Sequence, residues 1–169
     1  MRIYLVGFMA CGKTTVGKRL AKLLNCQFID TDELFEQQEN ISIEHFFHLH
    51  GETKFREIET QIVRQTDQNE NIVVALGGGS PLYGDNMQWL LKNGIVVYIQ
   101  LTAKCLYDRL RDSKKIRPFV LSARQNLLEE TTQLLTQREP TYLQAHITVK
   151  GLSAHLEKVI LTACDTFLN

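Results

Sequence analysis

Gly7, Gly12, Lys13 and Thr14 stand at the spacing GxxxxGK[ST], in the stretch Gly7-Phe8-Met9-Ala10-Cys11-Gly12-Lys13-Thr14. Chemistry requires that order. A loop between a strand and a helix turns successive N–H groups, and the positive end of the helix, toward an anion. Lys13 adds a full charge near the β- and γ-phosphates of a nucleotide, and the Thr14 hydroxyl is placed to ligate Mg²⁺. Ala10, Cys11, Gly12, Lys13, Thr14 and Thr15 are therefore the candidate nucleotide-binding residues. The same stretch has a rival reading as an export signal, with Arg2 as the charged region, Ile3 to Ala10 as the apolar core and Ala10-Cys11 as a cleavage point. One charged side chain, an apolar run interrupted by Gly7, and an amphipathic helix directly after it at Lys13–Leu20 weigh against that reading.

Three further groups carry chemical potential. Asp30 and Asp32 could cap the helix that follows them. Beside a phosphate loop, one carboxylate can instead hold magnesium through water while the other faces an acceptor hydroxyl. Gly77-Gly78-Gly79 follows an apolar run directly, which points to a close approach of some group to the backbone, with a ligand on its N–H groups as the expected cause. Arg56, in Phe55-Arg56-Glu57-Ile58-Glu59, sits on a helix whose register turns Phe55, Ile58 and Ile62 inward. It can pair with Glu52 or Glu59 on that helix, and spacing alone leaves a binding role undecided. Arg138, in Arg138-Glu139-Pro140-Thr141-Tyr142, is equally open. His45, His48 and His50 lack an acidic or cysteine partner placed as at a catalytic zinc, so they read as surface residues.

These groups need elements to position them. Strand-like runs recur at Arg2–Val6, Gln27–Asp30, Ile72–Leu76, Ile95–Leu101 and His146–Val149, separated by helical patterns. After Lys13, Val16, Leu20, Leu23 and Leu24 recur at helical spacing. Asp85 with Gln88 predicts a capping box for a helix at 86–93 that Gly94 stops, Thr102 caps a helix at 103–111, and a last helix covers Ser153–Leu168. Such alternation predicts an α/β fold, a parallel sheet covered on both faces by helices. Ligands in such sheets sit beyond the carboxyl ends of the strands. The phosphate loop, Asp30-Thr31-Asp32, the glycine triplet and the basic stretch Asp112–Pro118 all follow strands, so one edge collects them.

Length and charge set outer bounds. The 169 residues suit one domain, long enough to bury roughly 70% of the unfolded surface. Nineteen basic residues balance nineteen acidic ones, so no global field draws nucleic acid or a membrane surface. Ile95–Ile99 is the longest apolar stretch after the N-terminus, far short of the about 20 residues a span needs. Cys11, Cys26, Cys105 and Cys164 form no CxxC pair, which fits a reduced, cytoplasmic protein, and the last three read as small buried apolar residues.

Taken together, GFMACGKTT, the DTD at 30–32, FREIE at 55–59, GGG at 77–79, RP at 117–118 and REPTY at 138–142 resemble the shikimate kinases, over essentially the whole chain. The resemblance implies a P-loop three-layer α/β/α fold with a five-stranded parallel sheet in the order 2-3-1-4-5. It implies a substrate-binding region at about 31–60 and a lid at about 112–123. The implied reaction moves the γ-phosphoryl of MgATP to the 3-hydroxyl of shikimate, on the way to chorismate and the aromatic amino acids. Asp32 would orient the acceptor hydroxyl or act as base, and Arg56 and Arg138 would clamp the shikimate carboxylate, with backbone contacts from Gly78 and Gly79. Thr14 and Asp30 would serve magnesium, Lys13 and Arg117 would meet the transferring phosphoryl, and Arg109 would lie near adenine. A monomer is expected. The nearest rivals are a kinase of another hydroxy acid, such as gluconate, and a nucleotide-binding switch without turnover.

Ala10 stands where the family usually has glycine, Cys11 where it often has alanine or serine, and RPFV where RPLL is common. Alanine at position 10 is harmless while its φ is negative. A thiol at Cys11, beside Lys13 and a helix N-terminus, is expected to react with thiol reagents unless ATP shields it.

Overall fold

The computed structural model describes residues 1–68, 70–113 and 126–168. Five parallel strands form the sheet: β1 (Arg2–Val6), β2 (Gln27–Asp30), β3 (Ile72–Ala75), β4 (Ile95–Gln100) and β5 (Ile147–Lys150), in the order β2-β3-β1-β4-β5. The helices are α1 (Lys13–Leu24), α2 (Thr31–Glu39), α3 (Ile43–Gln65), α4 (Asn86–Asn93), α5 (Ala103–Arg111), α6 (Leu127–Tyr142) and α7 (Leu156–Leu168). The expected fold class and strand order are observed.

Burial explains the order. The β3 residues Ile72-Val73-Val74-Ala75 are buried throughout, as are Ile3 to Val6 of β1 and Ile95 to Ile99 of β4. Strands covered on both faces read as continuous apolar runs and take the centre. β5 instead alternates, with Val149 buried between exposed Thr148 and Lys150, and it lies at an edge. Successive side chains of β1 serve opposite layers. Tyr4 meets Trp89 of α4, while Leu5 lies against Gly17 of α1, where an added Cβ would stand 3.2 Å from Leu5 Cδ1. Phe35, Phe46, Phe55 and Ile62 make a second, smaller core between α2 and α3. β1 pairs with β3 on one side and β4 on the other, so the strand order reverses there, and the phosphate loop leaves β1 at that switch point.

Local expectations fared unevenly. Thr102 caps α5 by accepting from the Cys105 N–H, and Gly94 ends α4 with its N–H on Leu90 O. The capping box at α4 does not form: the Asp85 carboxylate takes the Arg64 guanidinium at 2.5 Å and makes no bond to the helix end. α7 begins at Leu156 rather than 153. Leu23 is exposed, and Cys26 and Cys105 are half-buried where full burial was expected, whereas Cys164 is buried. His45, His48 and His50 lie exposed on the first part of α3, which bends at Gly51 with φ 76°. Residues 114–125, with Arg117 and most of the expected lid, lie outside the described residues. Among the described residues no helix is long and apolar enough to cross a membrane.

Candidate active site

A cleft of about 770 Å³ opens at the carboxyl edge of the sheet. Three of the four groups expected there meet in it: the phosphate loop after β1, Asp30 and Asp32 after β2, and the glycine triplet after β3. Arg56 of α3 and Arg138 of α6 complete its wall.

The loop is built by backbone conformation. Gly12 caps α1 with φ 107°, a region costly to side-chain-bearing residues. Lys13 is buried to 9% exposure, and its ammonium donates to Gly7 O at 2.8 Å and Phe8 O at 2.9 Å. Ala10 departs from expectation, because its φ is 63°. The loop demands a left-handed residue there, and alanine carries the strain of the Cβ. Cys11 is 1% exposed, with Sγ 3.6 Å from Lys13 Nζ, so burial withholds the sulfur from the reagents that its position beside a helix N-terminus would otherwise favour. Thr15 is exposed on the first turn of α1. Arg109 reaches across from α5 and donates to Cys11 O at 2.9 Å and Ala10 O at 3.3 Å, bracing the loop.

Asp30 takes the capping role, and its second oxygen turns to the phosphate loop. Oδ1 caps α2, accepting from the N–H groups of Asp32 and Glu33, and Oδ2 accepts the Thr14 hydroxyl at 2.6 Å. The capped helix start carries Asp32 into the cleft. Thr31 between them is 1% exposed, and its hydroxyl accepts the Gly77 N–H at 3.0 Å. That N–H is therefore spent inside the protein, and the Gly77 position has another cause. A Cβ there would stand 2.6 Å from both Asp32 Oδ1 and Glu59 Oε1.

Arg56 holds Glu59 Oε2 at 2.6 Å and the exposed Glu52 at 3.2 Å, so the helical pairings exist, yet the guanidinium also overlies Gly79, where a Cβ would overlap it. Arg138 Nη1 lies 3.7 Å from the Cβ position of Gly78, and its guanidinium sits 5.7 Å from the Phe8 ring centre. Two guanidinium groups thus converge on consecutive glycines, whose Cα atoms are about 3.8 Å apart. Two planar forks reaching neighbouring backbone positions on one cleft wall suit a small carboxylate. Tyr142, fully buried, donates its hydroxyl to Gly78 O at 2.5 Å, and burial pushes the phenol up to about 12, which keeps it a donor.

The profile of the family described as Shikimate kinase matches residues 9–167. The chain belongs to the shikimate kinase family. A shikimate kinase of Bacteroides fragilis is 37% identical over 147 residues, covering 86% of this chain and 82% of that one. The crystal structure of shikimate kinase from Bacteroides thetaiotaomicron superimposes with a TM-score of 0.90 at 31% identity, covering 99% and 98% of the two chains. That of the Acinetobacter baumannii shikimate kinase in complex with shikimate gives 0.88 at 32%, covering 99% and 92%.

Within this shikimate kinase framework, sequence reasoning overlooked three residues. Thr31 was passed over between two carboxylates, although a buried hydroxyl directly after an edge strand has few partners but a neighbouring loop. Tyr142 showed no sign beyond its place after Arg138. Glu59 had a readable signal: on a helix it shares the face of Phe55 and Ile62, four before and three after, so its carboxyl had to go inward. It is 2% exposed, and burial pushes it up to about 7 despite the Arg56 charge beside it.

Proposed function

We propose that this chain transfers the γ-phosphoryl of ATP to the 3-hydroxyl of shikimate, yielding shikimate 3-phosphate and ADP. The observation that carries this reading is the convergence of Arg56 and Arg138 on Gly78–Gly79, beside Asp32 and across one cleft from the phosphate loop. An anionic ring with several hydroxyls needs a cationic fork at one end and an acceptor at the other. The fork fixes the carboxylate and Asp32 receives the hydroxyl that attacks; Lys13 and the loop N–H groups hold the phosphates. Arg109 supports the loop from the nucleotide side, and Arg117 is assigned to the transferring phosphoryl by family resemblance.

Thr14 and Asp30 would hold the magnesium ion. Their hydroxyl and carboxylate oxygens, 2.6 Å apart at the mouth of the loop, are the hard donors that this ion prefers beside phosphate. Bound there, it would neutralise charge on the phosphate oxygens. Four free cysteines support a reducing, cytoplasmic setting, and a monomer is the expected state in sedimentation.

The deciding experiment measures ADP release from MgATP with shikimate, with gluconate and with no acceptor. Release that needs shikimate, and falls by roughly 10²–10⁴ in Asp32→Asn, establishes the reaction and the role of that carboxylate. Release that gluconate supports equally well replaces the substrate. ATP binding with no acceptor-dependent release identifies a switch.

A further inference from the structure

Glu59 lies deeper than clamping Arg56 requires. Oε2 is satisfied by Arg56, but Oε1 is buried without a hydrogen-bond partner among the described residues. It faces Asp32 Oδ1 across Gly77, the two oxygens lying no farther apart than the two 2.6 Å distances that each makes to the Gly77 Cβ position combined. Arg56 and Glu52 face Glu59 from its own helix and Asp32 from α2; Arg138 of α6 and Lys13 of the phosphate loop line the same cleft. Phe55 and Ile62, which share its face of α3, belong to the small apolar core. Arg56 therefore stands against two carboxyl groups, Glu59 and Glu52, before any ligand arrives.

We propose that Glu59 is a proton-binding positioning residue, which takes up a proton when a carboxylate occupies the Arg56–Arg138 fork and returns it when the fork empties. The inference rests on reading the cleft as the site of a carboxylic acid. An arriving carboxylate shares the guanidinium that stabilises the Glu59 charge and adds a like charge beside it, and both effects favour the neutral acid. The proton comes from solvent. Once bound, it gives Oε1 an O–H to donate toward Asp32, which leaves Asp32 ionised as acceptor and frees Arg56 for the ligand. Since burial already places this group near neutrality, a modest change of field suffices. Affinity for the acid should then fall as pH rises above neutrality, because binding takes up a proton.

Calorimetry of shikimate binding to the whole protein tests this, at pH 7.5 in phosphate and in Tris, whose ionisation heats differ. The expected result is uptake of roughly half a proton per site in the wild type. Uptake should persist in Glu52→Gln and vanish in Glu59→Gln. If Glu59→Gln does not fold, infrared difference spectra of the wild type serve instead, and shikimate must bring out a carboxylic-acid C=O band. Binding heat that is the same in both buffers, uptake that survives Glu59→Gln, or a missing band overturns the inference and leaves the kinase reading intact. No binding of shikimate overturns both.

Discussion

At the scale of single residues, the end of the cleft proposed to bind the acid is set by groups that share space. An alanine at Gly79 would drive its Cβ into the Arg56 guanidinium, and the flexible arginine would have to leave its place. Misplacing a clamp by about 1 Å can cost up to about 10²-fold. Gly79→Ala should therefore lower kcat/KM for shikimate by roughly ten- to a hundredfold while nucleotide affinity, read by equilibrium titration, stays within about twofold. Arg56→Lys removes the planar fork and keeps the charge. Steady-state kinetics should show KM for shikimate raised by an amount equivalent to roughly 1.5–3 kcal/mol, with KM for ATP nearly unchanged. An unchanged KM for the acid would remove Arg56 from the clamp. Tyr142→Phe removes the hydrogen bond to Gly78 O. It should weaken shikimate binding by roughly tenfold, leaving ATP binding as it was.

At the scale of elements, the phosphate loop is a backbone object and its one misfit is local. Ala10 occupies φ 63°, which costs a residue with a Cβ roughly 1–2 kcal/mol. Glycine relieves that cost but brings about 0.5–1 kcal/mol of extra entropy to the unfolded chain. The balance favours Ala10→Gly by about 0.5–1 kcal/mol, visible as a rise in Tm of roughly 1–4 °C in a thermal melt. A lower Tm would mean that the Ala10 methyl makes packing contacts worth more than its strain. The loop is also pinned from α5, since Arg109 donates to two consecutive loop carbonyls, so the helix after β4 stabilises the turn after β1.

At the scale of the whole molecule, one buried carboxyl links stability to pH. Unfolded, Glu59 titrates near 4.5, and folded it titrates near 7, so the folded form binds the proton more tightly. The stability this group lends is fully present below 4.5 and is lost as pH rises to about 7, a change of about 3 kcal/mol. Glu59→Gln has no such titration. Relative to wild type it should gain stability steadily between pH 4.5 and 7 and level off above, a trend that urea unfolding at intervals across that range would reveal. A difference that stays flat would show that the carboxyl is ionised as it is buried.

Much of this architecture was legible along the chain. Strands that are apolar throughout announced a covered parallel sheet, and glycines with a lysine and a threonine at fixed spacing announced a phosphate loop, because both depend on near neighbours. Thr102 and Gly94 acted as local rules expect. Asp85 did not, since a carboxylate that can reach either a helix end or Arg64 is decided by what folds beside it. The same holds for the site. The sequence determined which residue types were present: two carboxylates, two arginines and three glycines, each with an ordinary helical or turn explanation. Tertiary structure decided that Arg56 and Arg138 meet on adjacent glycines, that Thr31 takes the Gly77 N–H, and that Glu59 is sealed beside Asp32. Convergence of this kind depends on crossovers between distant segments, and burial raises its electrostatic consequences only once water has been excluded.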